Sequence, residues 1–308
     1  MKPSLAKPYI IHSISELHRL LTIGKPDNPL VSVIDFSEIT CFSDEQLRSV
    51  VYNFYCIALK KNFEGKMRYG QNSYDFDEGV MTFFSPGQVI TTDIVDNLRL
   101  SGWWLVVHPD FIQGSRLAGK IKSYDYFSYA VHEALHLSDK EETILDFIVS
   151  TIKQELRSAI DAYSHDIITS QIQLLLDYCD RFYSRQFMTR KVVNRTLLIR
   201  FEALLSTYLN SDLLPELGPP TVQYLAEQLA VSPHYLSSLL RSLTGQNAQQ
   251  HIHNHLIDKA KELLTTTELT VSEVAYLLGF AHAQSFNKLF KNKTRLSPLG
   301  FRSTHRFN

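Results

Sequence analysis

Three groups of residues in this 308-residue chain have types and spacings that chemistry can use. His132, Glu133 and His136 spell HExxH, in which two imidazoles one helical turn apart grip a zinc ion while the glutamate activates a water. His251, His253 and His255 alternate; the first and last share a helical face, suited to a metal or, when protonated, to phosphate. The third group is polar and basic: His234, Tyr235, Ser237, Ser238 and Arg241, then His282, Gln284, Ser285, Asn287, Lys288, Lys291 and Lys293. Asparagine and glutamine bridge an adenine edge bidentately, whereas lysine and arginine take guanine or phosphate. This last set therefore has the chemistry of base reading in a duplex groove.

The elements that must position these groups decide between them. Ser138, followed by Asp139, Lys140 and Glu141, reads as a capping box, so a helix begins there and the HExxH residues precede it, on a strand or in the loop before the helix. On a strand the two histidines would lie about 13 Å apart, too far for one ion. A third ligand is also wanted; Glu155 has suitable spacing but no supporting motif. A zinc-dependent hydrolase is thus the weaker reading, and neither a metal nor a cofactor is expected. The 251–255 histidines are expected to be solvent-exposed or packed between helices. The chain has no GxSxG, P-loop or GxGxxG, and before residue 220 no HxH pair, so we expect no enzyme.

With 44% hydrophobic and 20% charged residues, the chain can bury two separate cores. Cys41, Cys56 and Cys179 are scattered without a CxxC, which fits a reducing compartment. The first residues lack an apolar core and cleavage site of the secretory kind, and no run approaches the roughly 18 apolar residues of a membrane span. The expected location is the cytoplasm. Short apolar runs (VSVIDF, VVYNFYCIAL, GVMTFF, GWWLVVHPDF) separated by glycine and proline give a β-rich domain over 1–137, an antiparallel sandwich or barrel. Its aromatics, among them Tyr52, Phe54, Tyr55, Trp103 and Trp104, can line a pocket, although strand alternation turns about half of them into the core. A helical segment follows over 138–210. Ile144, Phe147, Ile148, Ile152 and Leu156 form one stripe, and Ile168, Ile172, Leu175, Cys179 and Phe182 a two-heptad seam suited either to a second copy of the chain or to its own sheet domain. Residues 211–220, SDLLPELGPP, read as the connector to a domain over 221–308. The predicted class is α+β with two domains, the first a β-barrel with flanking helices and the second all-α.

Residues 221–308 hold nine Lys or Arg against five Asp or Glu, while the rest of the chain is acidic. This basic region repeats itself. Thr221, Val222, Ala226 and Leu229 recur 49 residues on as Thr270, Val271, Ala275 and Leu278; Leu236, Leu239, Leu240, Arg241 and Thr244 recur 50 residues on as Phe286, Leu289, Phe290, Lys291 and Thr294. Each unit is a helix, a tight turn and a second helix. In the first, Ala230 and Val231 form the turn and Ser232 with Pro233 opens the next helix; in the second, Gly279 permits a left-handed turn and Phe280 plugs the core. A helix over 248–265, about 27 Å long, joins the units and can set them in successive grooves.

These residues resemble the AraC/XylS family of transcription regulators over about the last 90 positions. The second unit carries the family's signature as Gly279, Phe280, Phe286, Phe290, Lys291, Ser297, Pro298, Phe301 and Arg302. Arg295 stands where glycine is usual, which bears on the bend after the second reading helix, and Leu256 where arginine is frequent. The resemblance implies a double helix-turn-helix that reads double-stranded DNA, with base-reading positions at His234, Ser237, Ser238 and Arg241, then Gln284, Asn287 and Lys288. It also implies a cupin-like effector-sensing domain, here by layout only, and, as further partners, a small-molecule effector, a second copy of the chain and RNA polymerase. A protein-interaction scaffold is the remaining alternative.

Overall fold

The computed structural model describes residues 8–39, 49–69, 72–76, 79–91, 99–130, 133–189 and 191–305. The chain divides into two compact units, Met1–Gln186 and Phe187–Asn308. The first contains strands β1 (Tyr9–Ile11), β2 (Val31–Asp35), β3 (Ser49–Tyr52), β4 (Tyr55–Tyr69), β5 (Asn72–Phe76), β6 (Val80–Phe84), β7 (Val89–Thr91), β8 (Arg99–Val107) and β9 (Leu135–His136). Its helices are α1 (Ile14–Leu20), α2 (Pro109–Ile112), α3 (Arg116–Lys120), α4 (Asp139–Arg157) and most of α5 (Ser164–Thr189).

Three of the four apolar runs give one strand each, and VVYNFYCIAL breaks at Asn53 and Phe54 into β3 and the start of β4. The strands build a six-stranded antiparallel sheet, β2-β8-β4-β6-β9 with β5 on β4, and a three-stranded sheet, β1-β3-β7, in which β1 pairs parallel to β3. Among the described residues no strand pair joins the two sheets into a closed barrel. Strand alternation sorts the side chains of the large sheet. Ile34, Cys56, Ala58, Phe84, Trp104 and Val106 share one face and form a core with Ile11, Val50, Phe54 and Ile90 and with Ile14, Leu17 and Leu21 of the α1 region. The other face carries Ile57, Leu59, Met81, Phe83 and Leu105, all buried. Helices and turns cover it: Phe83 meets Tyr126 and Tyr183, and the Trp103 indole N–H donates to Asp146 of α4 at 2.8 Å. The adjacent tryptophans therefore serve opposite faces. Cys56 and Cys179 are buried and reduced, and burial pushes both thiols up; Cys41 lies outside the described residues.

Helix α4 begins where the sequence places it. The Glu141 carboxylate accepts the Ser138 backbone N–H at 2.9 Å and its hydroxyl at 3.0 Å, and receives Arg185 at 2.8 Å. Its buried face is Glu141, Leu145, Ile148, Val149 and Ile152. Ile144 and Phe147, expected on the inward stripe, point outward, with Phe147 70% exposed. The α5 seam of Ile168, Ile172, Leu175, Cys179 and Phe182 is buried within the single chain.

The second unit is helical: α6 (Lys191–Leu209), α7 (Leu213–Leu217), α8 (Val222–Gln228), α9 (Pro233–Thr244), α10 (Ala248–Thr266), α11 (Val271–Leu277), α12 (Ala283–Thr294) and α13 (Pro298–His305). Its axis is α10, which buries Ala248, Ile252, Leu256, Ile257, Ala260 and Leu264 and packs against α6, α9, α11, α12 and α13. Leu256 fills this core as a plain apolar residue. The connector 211–220 belongs to this unit: α7 forms inside it and packs on α11. Among the described residues, no helix is long and apolar enough to cross a membrane.

Glu141 combines a helix cap with an ion pair to Arg185, whose side chain is 38% exposed. Glu141→Ala should lower the unfolding free energy by about 1–2 kcal/mol in urea titration, chiefly through the lost helix cap. A loss below about 0.5 kcal/mol, the range of an indifferent surface change, would show that the pair carries no stability.

Candidate nucleic-acid interface

Each helix-turn-helix unit starts from a threonine cap. The Thr221 hydroxyl accepts the Tyr224 N–H at 3.1 Å, and that of Thr270 accepts the Glu273 N–H at 3.2 Å, 49 residues later. The turns match as well. Ala230 (φ 57°) and Gly279 (φ 75°) are both left-handed, and Val231 and Phe280 donate back to Ala226 and Ala275 at 3.0 Å. After Ala281, the extra residue, the offset becomes 50. Gly245 and Arg295 end α9 and α12 in the left-handed conformation, each N–H donating to the carbonyl four residues earlier at 2.9 Å. Thr244 and Thr294 then cap the helix ends alike, each hydroxyl donating to the carbonyl four residues earlier. The repeat read in the sequence is thus a repeat of hydrogen bonds.

Arg295 therefore keeps the bend that a glycine would make, at a conformational cost of about 1 kcal/mol or more for an L-residue. Gly279 is held more tightly. A Cβ there would lie 2.2 Å from the Leu214 carbonyl oxygen and 2.6 Å from the Gly218 Cα. Gly218 itself adopts a backbone conformation that disfavours any side chain (φ 84°, ψ −177°), and its carbonyl accepts the Tyr208 hydroxyl at 3.0 Å. A glycine-to-glycine contact thus joins the connector to the second turn. The signature arginine is structural in the same way, since Arg302 donates to the Leu264 and Leu269 carbonyls at 2.9 and 2.6 Å and so ties α13 to the end of α10.

The inward residues hold the reading helices in place. Leu236, Leu239 and Leu240 of α9, and Phe286 and Phe290 of α12, are completely buried, with Phe280 against Phe286 and Phe301 against Phe290. The outward residues then divide unequally. On α12 and its cap, His282, Gln284, Ser285, Asn287, Lys288, Lys291 and Lys293 are all turned away from the core, and the helix holds no acidic residue. Lys293 donates to Asn254 of α10 at 2.8 Å. On α9, His234 and Arg241 are exposed, whereas Ser237 and Ser238 are half-buried. Tyr235, read as outward, is also half-buried and stands edge-on to Phe187, 5.3 Å between ring centres. Its aromatic body finds an apolar partner inside the unit.

The histidine groups resolve differently. His251 is buried, edge-on to Phe201, with Nε2 2.8 Å from the Thr244 hydroxyl; burial, then His255, holds its pKa below the ordinary histidine value. It packs α10 against α6. His136 lies on β9, where its backbone N–H donates to Gln186 and its carbonyl accepts Arg185, both at 2.8 Å. Glu133 is buried, its carboxylate accepting the Ala130 N–H at 2.6 Å. His132 lies outside the described residues. Among the described residues no group of three potential metal ligands gathers.

Residues 225–304 match the family described as a helix-turn-helix domain. The HTH-type transcriptional regulator YijO of Escherichia coli is 24% identical over 187 residues, 61% of this chain and 62% of its own. The HTH-type transcriptional activator RhaS of Escherichia coli is 32% identical over 78 residues, 25% of this chain and 28% of its own. Among solved structures, the C-terminal domain of AraT, a response regulator from Geobacillus stearothermophilus, is 28% identical and covers 36% of this chain and 87% of that one, with a TM-score of 0.32. The chain thus spans less than two thirds of these curated relatives.

The two left-handed positions of the second unit should respond with opposite signs. Gly279→Ala should destabilise by roughly 3 kcal/mol or more, combining backbone strain with a clash against rigid backbone. Arg295→Gly should stabilise by about 1 kcal/mol. Equal and small shifts in chemical denaturation would contradict both assignments.

Proposed function

We propose, from the premise that residues 225–304 belong to the AraC-type helix-turn-helix domains, that this chain is a transcription regulator that reads double-stranded DNA through two helix-turn-helix units. The observation that carries the reading is the repeated geometry. Two reading helices with buried inner faces and polar outer faces lie on one core helix, at the end of the chain where the basic surplus is concentrated. Gln284, Asn287 and Lys288 would meet base edges, as would His234, Ser237, Ser238 and Arg241. Lys291 and Lys293, in the last turn of α12, would meet phosphates and so position the helix without selecting sequence. Tyr235, His282 and Ser285 would border the contact.

The rest of the chain is given regulatory work in the same reading. The sheets of the first unit would form a cupin-like sensor of a small organic effector, and the helices over 138–210 would carry association with a second copy. Effector binding would shift the population of DNA-competent states, a change of equilibrium with no reaction catalysed. The regulator would work in the cytoplasm, where its DNA is, and would contact RNA polymerase there.

Selection of a preferred site from random duplex DNA, followed by binding titrations at several salt concentrations, tests this reading. Affinity should fall steeply with salt, as counterion release requires. Asn287→Ala should cost about tenfold on the preferred site and flatten the preference at one base pair, whereas Lys293→Ala should weaken all sequences alike and reduce the salt slope by about 1. Salt-indifferent binding, identical sequence profiles for the two variants, or a folded protein that ignores DNA and serves only as a scaffold would each overturn it.

A further inference from the structure

We infer that the start of α6, which lies outside the 225–304 match, carries a phosphate clamp for the first helix-turn-helix unit, with Arg195 as its contact to the DNA backbone. The inference rests on the DNA-reading proposal above and extends its contact surface to a further element. Sequence gives the first observation. Residues 1–220 are acidic in sum, yet the stretch 181–200 holds six basic residues, Arg181, Arg185, Arg190, Lys191, Arg195 and Arg200, and no acid. Between Arg200 and Arg241 there is no lysine or arginine.

The first unit is consequently short of cations. The leading helix of a helix-turn-helix crosses the DNA backbone, where positive charge is wanted. Here that helix, α8, has no cation and carries Glu227, while α9 supplies only Arg241, in its last turn. The second unit has Lys288, Lys291 and Lys293 on α12 itself. Without charge from a neighbouring element, the two units would grip the duplex unequally. Helix α6 is such a neighbour, packed on α8 and α10.

Contacts inside the second compact unit set the start of α6 at the groove-entering end of α9. Tyr235, in the first turn of α9, stands edge-on to Phe187 at 5.3 Å. The Phe187 carbonyl in turn accepts the Asn194 side-chain amide at 2.6 Å, and Phe187 and Asn194 are both buried. The backbone at Asn194 is therefore anchored beside the N-terminal turn of α9, the part of a reading helix that meets base edges. Phosphate rows border a major groove about 12 Å wide, so an exposed cation beside that turn reaches one of them. Arg195, next to buried Asn194, is exposed, and its planar fork suits phosphate oxygens. Arg200 points elsewhere. Asn194 and Phe201, seven residues apart, share the buried face of α6; Arg195 follows the one and Arg200 precedes the other, so the two leave the helix on opposite flanks. Arg200 is thus a control of equal charge, whereas Arg185 is already engaged by Glu141.

The test is salt titration and phosphate-ethylation interference with the full chain on its preferred site, selected from random duplex DNA. Arg195→Gln should weaken all sequences alike, by about threefold to tenfold, and lower the salt slope by about 1. Arg195→Lys should keep the slope, and Arg200→Gln should change affinity by less than about twofold. Ethylation of a phosphate bordering the half-site that Asn287→Ala leaves unchanged should impair the wild type and make no difference to Arg195→Gln. Urea midpoints should match the wild type, as for other exposed positions. The clamp is overturned by an unchanged affinity and slope in Arg195→Gln, an equal loss in Arg200→Gln, an altered base preference, or a lowered urea midpoint, which would give Arg195 a structural role. A wild-type chain that ignores DNA sinks the regulator reading and the clamp together; salt-dependent binding that Arg195→Gln leaves intact sinks the clamp alone.

Discussion

Everything in the second unit depends on a backbone approach that leaves no room for a side chain. Gly279 lies against Leu214 and Gly218, so the turn that aims the second reading helix is also the surface on which the connector rests. The hydroxyl of Tyr208 secures the same corner from α6. A helix-turn-helix whose turn drifted would still bury its leucines and phenylalanines, because apolar burial is not directional. The contact of two glycines supplies the direction. It makes the connector part of the reader's scaffold and brings α6 and α7 into the same cooperative unit as the helices they brace.

Around that corner the division of labour is simple. Complete burial of Leu236, Leu239 and Leu240, and of Phe286 and Phe290, fixes the rotation of each reading helix about its own axis, and this alone decides which side chains remain in water. On α12 and its cap eight polar or basic positions, Asn292 among them, are left facing outward without a single carboxylate on the helix to neutralise them. On α9 the face is narrower, because Tyr235 turns its ring to Phe187 and the serines are half-covered. The second unit consequently offers the denser field of donors and positive charge, and the first a smaller one centred on His234 and Arg241.

Much of this was legible in the sequence, for reasons that are physical. The repeat, the cap at Ser232 and the left-handed turn at Gly279 are local chemistry, and local chemistry is written in adjacent residues. The strands were legible because β-branched and aromatic runs lay between glycines and prolines. What escaped depended on distant partners. Helix α4 has apolar residues on more than one side, and only the sheet it packs on selects Leu145 and Val149 over Ile144 and Phe147. The prolines and glycine of 211–220 look like a linker, and nothing nearby shows that Gly218 must meet Gly279. The parallel pairing of β1 with β3 likewise joins segments some 40 residues apart. Lys60, buried in β4 although it is a lysine, is the instructive omission. Its signal, two residues beyond Ala58 in an alternating strand, was present, and reading the alternation past the apolar run would have turned it inward.

The two units have exchanged their glycines. The first carries Ala230 in its turn and Gly245 at the end of its reading helix; the second carries Gly279 in its turn and Arg295 at the end. Each half thus retains one residue in a backbone conformation its side chain disfavours, at opposite ends of the reader. Backbone strain is placed accordingly: in the first unit at the elbow, in the second just past the last turn of α12, which carries Lys291 and Lys293. One repeated motif thus has two halves strained at different points, and in the more basic half the strained residue adjoins the lysines.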